Sequence, residues 1–425
     1  MAKEEKKAPK LRFNGYTNDW EHWEQVKLGD VAEITPGGTP SKNISDYWYP
    51  KEIPWLSSGE INKEIIFSTN DMISKKGFNN SSAKWINQNS VLIALAGQGK
   101  TRGKVAINRI PLTTNQSIAG IDPSDEIYYK FLYHQLTKDY LKLRLISSGD
   151  GSRGGLNKKL LNDYAVNLSG IDEQHKIGVL LSHIDNTLQL HERKCEELAL
   201  IKKALLQKLF PKKDEFKPEV RYKNFSDAWE QRKLGEVTEY IKGFAFKSKD
   251  YKKSGHRIIR VSDLGKDSII NNNDSIFVTD EISKQQNKYK INKNEIIITT
   301  VGSKAELKES AVGRPIIVRN SLGYLLNQNL VKIHGKNNKD SRFIYYQLLQ
   351  PRYSQYIATI QRGNANQANI AISDLWNYRI FITKHNEQQK IGNFFQQLDF
   401  LTTLHQRKLE KLKQLKKFLL QNMFI

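Results

Sequence analysis

The sequence predicts an α+β protein in which two pseudo-symmetric mixed α/β domains are separated by two long antiparallel coiled-coil helices. Three observations predict this fold. One plan of domain followed by helix occurs twice, two long segments carry apolar residues at heptad spacing, and short β-branched runs alternate with turn residues. A chain of 425 residues is long enough for two to three independently packed domains.

The repeat is clearest in the two helical segments. Residues 172–210 align without a gap to residues 386–424, and almost half of the aligned positions are identical. The starts of the two copies, residues 9–31 and 218–237, also resemble each other, with a short insertion in the first. This period is far longer than a solenoid unit, so each copy is predicted to be a domain with its own core, followed by a helix.

Apolar residues recur three and four positions apart in both helical segments, which is the signature of a coiled-coil seam. Helices of this length span roughly 58 Å, which favours a role as spacers. The alternative is that each apolar stripe packs only on its own domain. In an antiparallel arrangement His191 and His405 lie near the middle of the seam, as packed side chains or as a metal-binding or pH-sensitive pair. The predicted pairing positions are Ile177, Leu181, Ile184, Leu188, His191, Cys195, Leu198, Ile391, Phe395, Leu398, His405, Leu409 and Leu412.

Two prolines and mixed charge after Phe210 mark the boundary between the copies, because proline cannot continue a helix. The predicted divisions are an N-terminal arm (1–24), a first mixed α/β domain (25–171), a central spacer helix (172–210), a linker (211–230), a second mixed α/β domain (231–385) and a C-terminal spacer helix (386–425). Within the domains, residues 91–95 and 295–300 are predicted strands, and residues 127–146 and 342–360 are the clearest predicted helices.

Charge is the strongest compositional signal. Lys and Arg number 67 against 45 for Asp and Glu, and the formal net charge of +22 predicts a polyanionic partner or an acidic surface, although a basic protein without such a partner is the alternative. The first residues contain charges of both signs and no apolar core of a leader, and no long apolar run follows, so we expect a cytoplasmic protein. One cysteine, Cys195, excludes an intramolecular disulfide framework and fits a reducing compartment.

Polar loops rich in Gly, Lys, Arg, Asn and Gln lie between the predicted elements of both domains. Lys and Arg neutralise phosphates and pair with guanine, whereas Asn and Gln bond adenine edges, so these residue types suit nucleic-acid readout. For each one, a solvated loop residue without a ligand is the alternative. The candidate DNA-binding residues are Lys42, Gln98, Lys100, Arg102, Lys104, Arg153, Lys158, Lys247, Lys249, Ser303, Lys304, Arg314, Arg362, Asn364, Asn366 and Gln367.

An enzymatic motif is present only in a relaxed form. Residues 94–101, Ala-Leu-Ala-Gly-Gln-Gly-Lys-Thr, follow a predicted strand and approach a phosphate-binding loop. A phosphate loop opens a helix, but residues 102–107 are interrupted by glycine and then have strand character. We find no dinucleotide fingerprint, no His-Glu-x-x-His and no amino-methyltransferase tetrapeptide, and therefore assign no catalytic residue and no metal ligand.

Several motifs together are specific enough to indicate a family. They are residues 23–30 (Trp-Glu-Gln-Val-Lys-Leu-Gly-Asp), 37–42 (Gly-Gly-Thr-Pro-Ser-Lys), 53–59 (Ile-Pro-Trp-Leu-Ser-Ser-Gly), 243–251 (Gly-Phe-Ala-Phe-Lys-Ser-Lys-Asp-Tyr) and the two Glu-Gln-x-Lys-Ile-Gly helix starts. Along nearly its whole length the chain resembles the specificity subunits of type I restriction-modification systems.

The resemblance implies a DNA-recognition subunit without catalytic activity. Its two mixed domains would be target-recognition domains, each reading one half of a split site in double-stranded DNA, and its helices would act as a ruler and dock two modification (methyltransferase) subunits. It implies no cofactor bound by this chain, S-adenosylmethionine in the modification subunit, and ATP with magnesium in a restriction (motor-nuclease) subunit. The rival classes are a nucleotide hydrolase using Lys100, a fused methyltransferase, and a coiled-coil scaffold that does not bind DNA.

Overall fold

A computed structural model describes residues 8–16, 23–97, 101–146, 155–212, 215–304, 312–364 and 367–425. The chain forms two compact units. Unit 1 comprises residues 1–192 and 407–425, and unit 2 comprises residues 193–406. Each of the two long helices is therefore divided, with one part in either unit.

Unit 1 is built on a mixed sheet with strand order β2-β9-β6-β7-β4, a three-stranded sheet β5-β3-β8 and a ribbon β1-β10. The inner strands β6 and β7 are buried at every position, which explains the apolar run of β6 and the three apolar residues that begin β7. The strands are β1 (Glu24–Lys27), β2 (Ala32–Pro36), β3 (Ile53–Leu56), β4 (Ile65–Ile66), β5 (Asp71–Ile73), β6 (Val91–Ala94), β7 (Val105–Asn108), β8 (Thr113–Thr114), β9 (Ile118–Pro123) and β10 (Ala165–Leu168).

Apart from parts of the two long helices, the helices of unit 1 are short. Side chains cap two of them at the N-terminus, since Ser74 accepts a hydrogen bond from the Gly77 amide and Asn157 accepts one from the Leu160 amide. The helices are α1 (Leu28–Val31), α2 (Lys75–Asn79), α3 (Tyr129–Lys138), α4 (Tyr140–Ile146), α5 (Lys158–Asn162) and the first part of α6 (Ile171–Lys208).

Unit 2 repeats this plan with a sheet β12-β19-β15-β17, two three-stranded sheets, β14-β13-β18 and β16-β21-β20, and a ribbon β11-β22. Strand β13 pairs antiparallel with β14 and parallel with β18, as β3 does with β5 and β8 in unit 1. The strands are β11 (Glu230–Lys233), β12 (Thr238–Lys242), β13 (His256–Ile259), β14 (Ile276–Val278), β15 (Ile296–Thr299), β16 (Val301–Gly302), β17 (Pro315–Ile317), β18 (Leu325–Leu326), β19 (Leu330–Gly335), β20 (Arg362–Gly363), β21 (Ala368–Asn369) and β22 (Arg379–Ile382).

The helices of unit 2 are α7 (Leu234–Val237), α8 (Asp280–Gln285), α9 (Ser341–Leu348), α10 (Pro351–Ile360), α11 (Ile372–Trp376) and the first part of α12 (His385–Asn422). Strands β6 and β15 confirm the strands predicted at 91–95 and 295–300. The continuous helices predicted over 127–146 and 342–360 are wrong, because the structure divides each into two. Asp139 ends α3, and Pro351, which has no backbone N–H to donate, begins α10.

A glycine on each long helix permits close approach to another helix of the same unit. A Cβ added at Gly178 would lie 2.9 Å from the backbone nitrogen of Phe131, at the start of α3. In unit 2 a Cβ at Gly392 would lie 3.3 Å from the nitrogen of Phe343, at the start of α9. The contact in unit 1 involves backbone, so a larger side chain there must displace a helix.

We predict that Gly178→Ala destabilises unit 1 by about 1–3 kcal/mol, because overpacking outweighs the gain in helix propensity. Gly59→Ala is the matched control, since its added Cβ meets nothing within 4 Å. Urea denaturation followed by circular dichroism measures both variants. Equal stability of the two variants would contradict the packing argument.

Candidate functional site

The structure brings several candidate DNA-binding residues of unit 2 together on one small sheet. Strand β21 pairs with β16 on one side and with β20 on the other. Ser303 and Lys304 directly follow β16, Arg362 lies in β20, and Gln367 precedes β21. Asn364 Oδ1 accepts a hydrogen bond from the Gln367 amide at 2.9 Å, which links the end of β20 to the start of β21. We call Ser303, Lys304, Arg362, Asn364 and Gln367 the unit 2 loop cluster.

The other candidates of unit 2 lie apart from this cluster. Lys247 and Lys249 are exposed at a 3-10 turn, Ser248–Asp250. Arg314 is used within the domain, since its guanidinium donates a hydrogen bond of 2.7 Å to the carbonyl oxygen of Leu264. Within the unit 2 loop cluster, by contrast, Arg362 is exposed and forms an ion pair of 2.7 Å with Asp374. A DNA phosphate would have to compete with that carboxylate.

The described candidates of unit 1 lie on separate segments of the chain. Arg102 and Lys104 lie in the turn between β6 and β7, and Lys104 Nζ donates to Asn62 Oδ1 at 2.7 Å. The turn packs on α4, where a Cβ added at Gly103 would meet the Arg144 side chain at 3.3 Å. Lys158 is the exposed first residue of α5, and Lys42 is exposed after β2. Gln98, Lys100, Arg153 and Asn366 lie outside the described residues.

The segment that resembled a phosphate loop does not open a helix. Residues 101–104 form a turn, and strand β7 begins at Val105. A helix N-terminus is what holds the nucleotide phosphates in such loops. This geometry disfavours the nucleotide-hydrolase alternative.

In unit 1 the apolar stripe of α6 packs into the domain core. Ile177, Leu181, Ile184 and Leu188 are buried there, together with side chains from the sheet and from α3. Leu409 and Leu412 of α12 pack against the same core. Lys416 forms an ion pair of 2.6 Å with Asp185, and Lys413 one of 2.9 Å with Glu192, so the two helical segments run antiparallel.

Unit 2 contains the equivalent arrangement with the roles of the helices exchanged. Ile391, Phe395 and Leu398 of α12 are buried in its core, and Leu198 of α6 packs against them. Lys202 forms an ion pair of 2.5 Å with Asp399, and Phe210 stacks on Phe395 with ring centroids 6.0 Å apart. These segments are therefore also antiparallel, and the fold class is confirmed.

Six of the predicted pairing residues are half-buried: His191, Cys195, Leu198, His405, Leu409 and Leu412. His191 belongs to unit 1, whereas Cys195 and His405 belong to unit 2. The apolar stripe of each long helix packs on its own domain and also contacts the other long helix. The helix-pairing interpretation and the domain-packing interpretation therefore each hold in part.

The ion pairs on Asp185 and Asp399 were not predicted. Both aspartates are 6% exposed, and each meets a lysine at the corresponding position of the other long helix. Asp399 also accepts hydrogen bonds from Tyr346 and Arg319. Both aspartates and both lysines are identical in the two copies of the repeat, and this identity could have indicated the ion pairs. The pairs were missed because the heptad pattern marks apolar positions only.

Burial controls the electrostatics around Asp185. It raises the pKa of the Asp185 carboxyl, and Lys416 opposes that shift. His134 lies 3.9 Å from Asp185, and burial holds the pKa of its imidazole well below 6.5, with Lys416 and Lys130 adding to the effect. Tyr346 occupies the equivalent position in unit 2. Among the described residues, the group beside the buried aspartate is thus an imidazole in unit 1 and a phenol in unit 2.

Among the described residues, no group of three or more His, Cys, Asp or Glu side chains is placed to hold a metal ion. Within the same ranges, no helix is both long and apolar enough to cross a membrane.

Comparison with known proteins gives one consistent family. The chain matches the type I restriction modification DNA specificity domain twice, over residues 20–200 and 226–414. The chain belongs to this family. The specificity subunit of the type I restriction enzyme MjaIX from Methanocaldococcus jannaschii is 25% identical, over 94% of this chain and 91% of the relative. The EcoR124I/EcoR124II specificity subunit from Escherichia coli is 30% identical, over 37% of this chain and 40% of the relative.

A solved structure supports the fold of the specificity family for this chain. The type I restriction-modification S subunit from M. genitalium superposes with a TM-score of 0.67 at 15% identity and covers 99% of both chains. The resemblance predicted from the motifs is thus confirmed.

We predict that His134 makes unit 1 acid-sensitive. Its folded-state pKa is lowered, so the unfolded chain binds more protons below pH 6.5, and stability present above that pH is lost as the pH falls. The loss reaches at most about 1.4 kcal/mol per pH unit. His134→Gln removes this dependence, measured as the free energy of unfolding at about pH 7.5 and about pH 5.5.

The matched control is His183→Gln, which replaces an exposed histidine of α6. The raised pKa of Asp185 has the opposite effect on the pH dependence of stability, and it is present in both variants. The difference between the two variants therefore isolates the contribution of the His134 imidazole. An unchanged pH dependence in His134→Gln would refute the assignment.

Proposed function

We propose that this chain reads a bipartite sequence in double-stranded DNA and scaffolds the modification and restriction subunits of a type I complex, without forming or breaking bonds itself. The proposed recognition domains are residues 25–171 and 231–385. In this proposal the modification subunits bind S-adenosylmethionine, and the restriction subunits use ATP and magnesium.

One observation carries the proposal: equivalent internal contacts support unlike polar loops. Gln174 accepts a hydrogen bond from the Tyr128 amide, and Gln388 accepts the equivalent bond from Asp340. The loops differ, because unit 2 displays its cluster on the sheet β16-β21-β20, whereas the described part of unit 1 has a turn packed on α4. Two similar frames with unlike loops suit the reading of two unlike half-sites.

The positive charge supports DNA as the polyanion. With 67 Lys and Arg against 45 Asp and Glu, the chain has the excess that phosphate binding requires. The candidate loop residues add amides that can bond base edges. A scaffold that does not bind DNA would need neither the charge nor two large domains with polar loops.

Exchange of one recognition domain tests the proposal. Residues 231–385 are replaced by the equivalent domain of another family member, and the chimera is expressed with its modification subunit. Methylation sequencing of the host DNA is expected to show one half of the target changed and the other half retained. Changes in both halves, or in neither while methylation persists, would overturn bipartite reading.

We also predict that Lys247 and Lys249 contact phosphates. The double variant Lys247→Ala/Lys249→Ala should lower the slope of log K against log salt by about 0.9 for each lost phosphate contact. The control Lys223→Ala/Lys233→Ala removes two exposed charges from the same unit outside the candidate residues. Fluorescence anisotropy of the assembled complex on a duplex containing its target measures both slopes, and equal slopes would exclude these contacts.

A further inference from the structure

The repeat creates an equivalent groove in each unit, at the second half of a long helix. In unit 2 a groove of about 690 Å³ lies between the end of α6 and the start of α10. In unit 1 a groove of about 400 Å³ lies between the end of α12 and the end of α3. Four positions are identical in the two: Lys202, Lys203, Leu206 and Gln207 correspond to Lys416, Lys417, Leu420 and Gln421.

The remaining lining residues differ in character. Unit 2 has Ala199 and Leu349 where unit 1 has Lys413 and Thr137. Phe210, Pro211 and Pro351 extend the apolar floor in unit 2. In unit 1 the groove is instead lined by charged side chains of both signs, namely Glu64, Asp185, Glu192, Lys138, Lys413, Lys416 and Lys417. An apolar side chain would thus be accommodated in the unit 2 groove and would lose its hydration without compensation in the other.

Arg352 gives the unit 2 groove a specific electrostatic requirement. Its guanidinium lies 4.8 Å from the ring centroid of Phe381 and donates one hydrogen bond of 3.2 Å to Gln347 Oε1. Its Nε is shielded from solvent and has no hydrogen-bond partner within the described part of the chain. Burial lowers the pKa of Arg352, and the neighbouring Tyr378 hydroxyl opposes that shift only in part. A carboxylate from outside would satisfy both the charge and the planar donors.

We propose that the unit 2 groove binds one segment of a partner protein that presents apolar and acidic side chains, and that the equivalent groove of unit 1 does not bind the same segment. Lys203 and Lys212, which are exposed in the same lining, add positive charge for an acidic segment. A DNA strand fits less well, because its hydrated phosphates and sugars cannot fill the apolar floor formed by Ala199, Phe210 and Leu349. A partner present in two copies would then make unequal contacts with the two halves.

The test rests on the proposed function, because it uses the modification subunit as the partner. A photo-crosslinking amino acid replaces Lys203 in one full-length variant and Lys417 in another, and each is assembled with the modification subunit. We expect the yield of crosslinks to that subunit to be at least about tenfold higher from position 203, the equivalent of about 1.4 kcal/mol. The crosslinked peptide should contain Asp or Glu beside apolar residues.

Exchange of the lining residues supplies the matched variants. Ala199→Lys with Leu349→Thr gives unit 2 the residues of unit 1 and should lower the yield at position 203 by about tenfold, because apolar contact area is lost. Lys413→Ala with Thr137→Leu should raise the yield at position 417. Ala204→Lys, on α6 but outside the groove lining, is the control and should leave the yield at position 203 unchanged.

Equal yields at positions 203 and 417, crosslinks to DNA or to a second copy of this chain, or no response to the exchanges would each overturn the groove proposal. Mass photometry of the same samples separates this failure from that of the proposed function. An assembled complex with equal yields refutes the groove alone, whereas a chain that forms no complex with the modification subunit refutes the scaffold role and the groove together.

Discussion

Both units depend on the pairing of a buried aspartate with a lysine from the other long helix. Asp185 pairs with Lys416 in unit 1, and Asp399 pairs with Lys202 in unit 2. A carboxylate that loses its partner while buried typically costs about 3–5 kcal/mol. Each pair therefore penalises any sliding of one helical segment along the other. The apolar contacts alone would tolerate a shift of one heptad, about two helical turns, because heptad positions repeat.

A second repeated contact joins the end of each helix to the start of a domain. Phe424 packs on Trp23 in unit 1, and Phe210 packs on Trp229 in unit 2, with nearly perpendicular rings in both. A buried glutamate near the start of each long helix pairs with an arginine: Glu173 pairs with Arg12, and Glu387 pairs with Arg221. Each core is thus completed by the C-terminal end of a helix whose N-terminal part lies in the other unit. Neither core is complete in a contiguous half of the chain.

The sequence was most informative where residue spacing and identity decide the structure. The inner strands, the two long helices and their antiparallel pairing followed from apolar runs and heptads, because burial selects those patterns directly. The breaks at Asp139 and Pro351 were missed, although Pro351 is a recognisable helix start, because the apolar periodicity continues across both. The loop candidates could be named by residue type, but their grouping on β16, β20 and β21 depends on two-residue strands too short to give a pattern.

The two halves agree in their internal polar contacts and differ in the chemistry they present to solvent. The equivalent aspartates, glutamates and glutamines each keep one bond in common, because a buried polar group requires a partner in either half. Ala199 and Lys413, or Leu349 and Thr137, line equivalent grooves with different character, because none of these side chains is buried in a core. A protein built from one repeated plan can therefore keep its symmetric frame and still offer each half to a different ligand. The loops proposed to read DNA differ between the halves in the same way as the grooves, so symmetry of the backbone is no guarantee of symmetric binding.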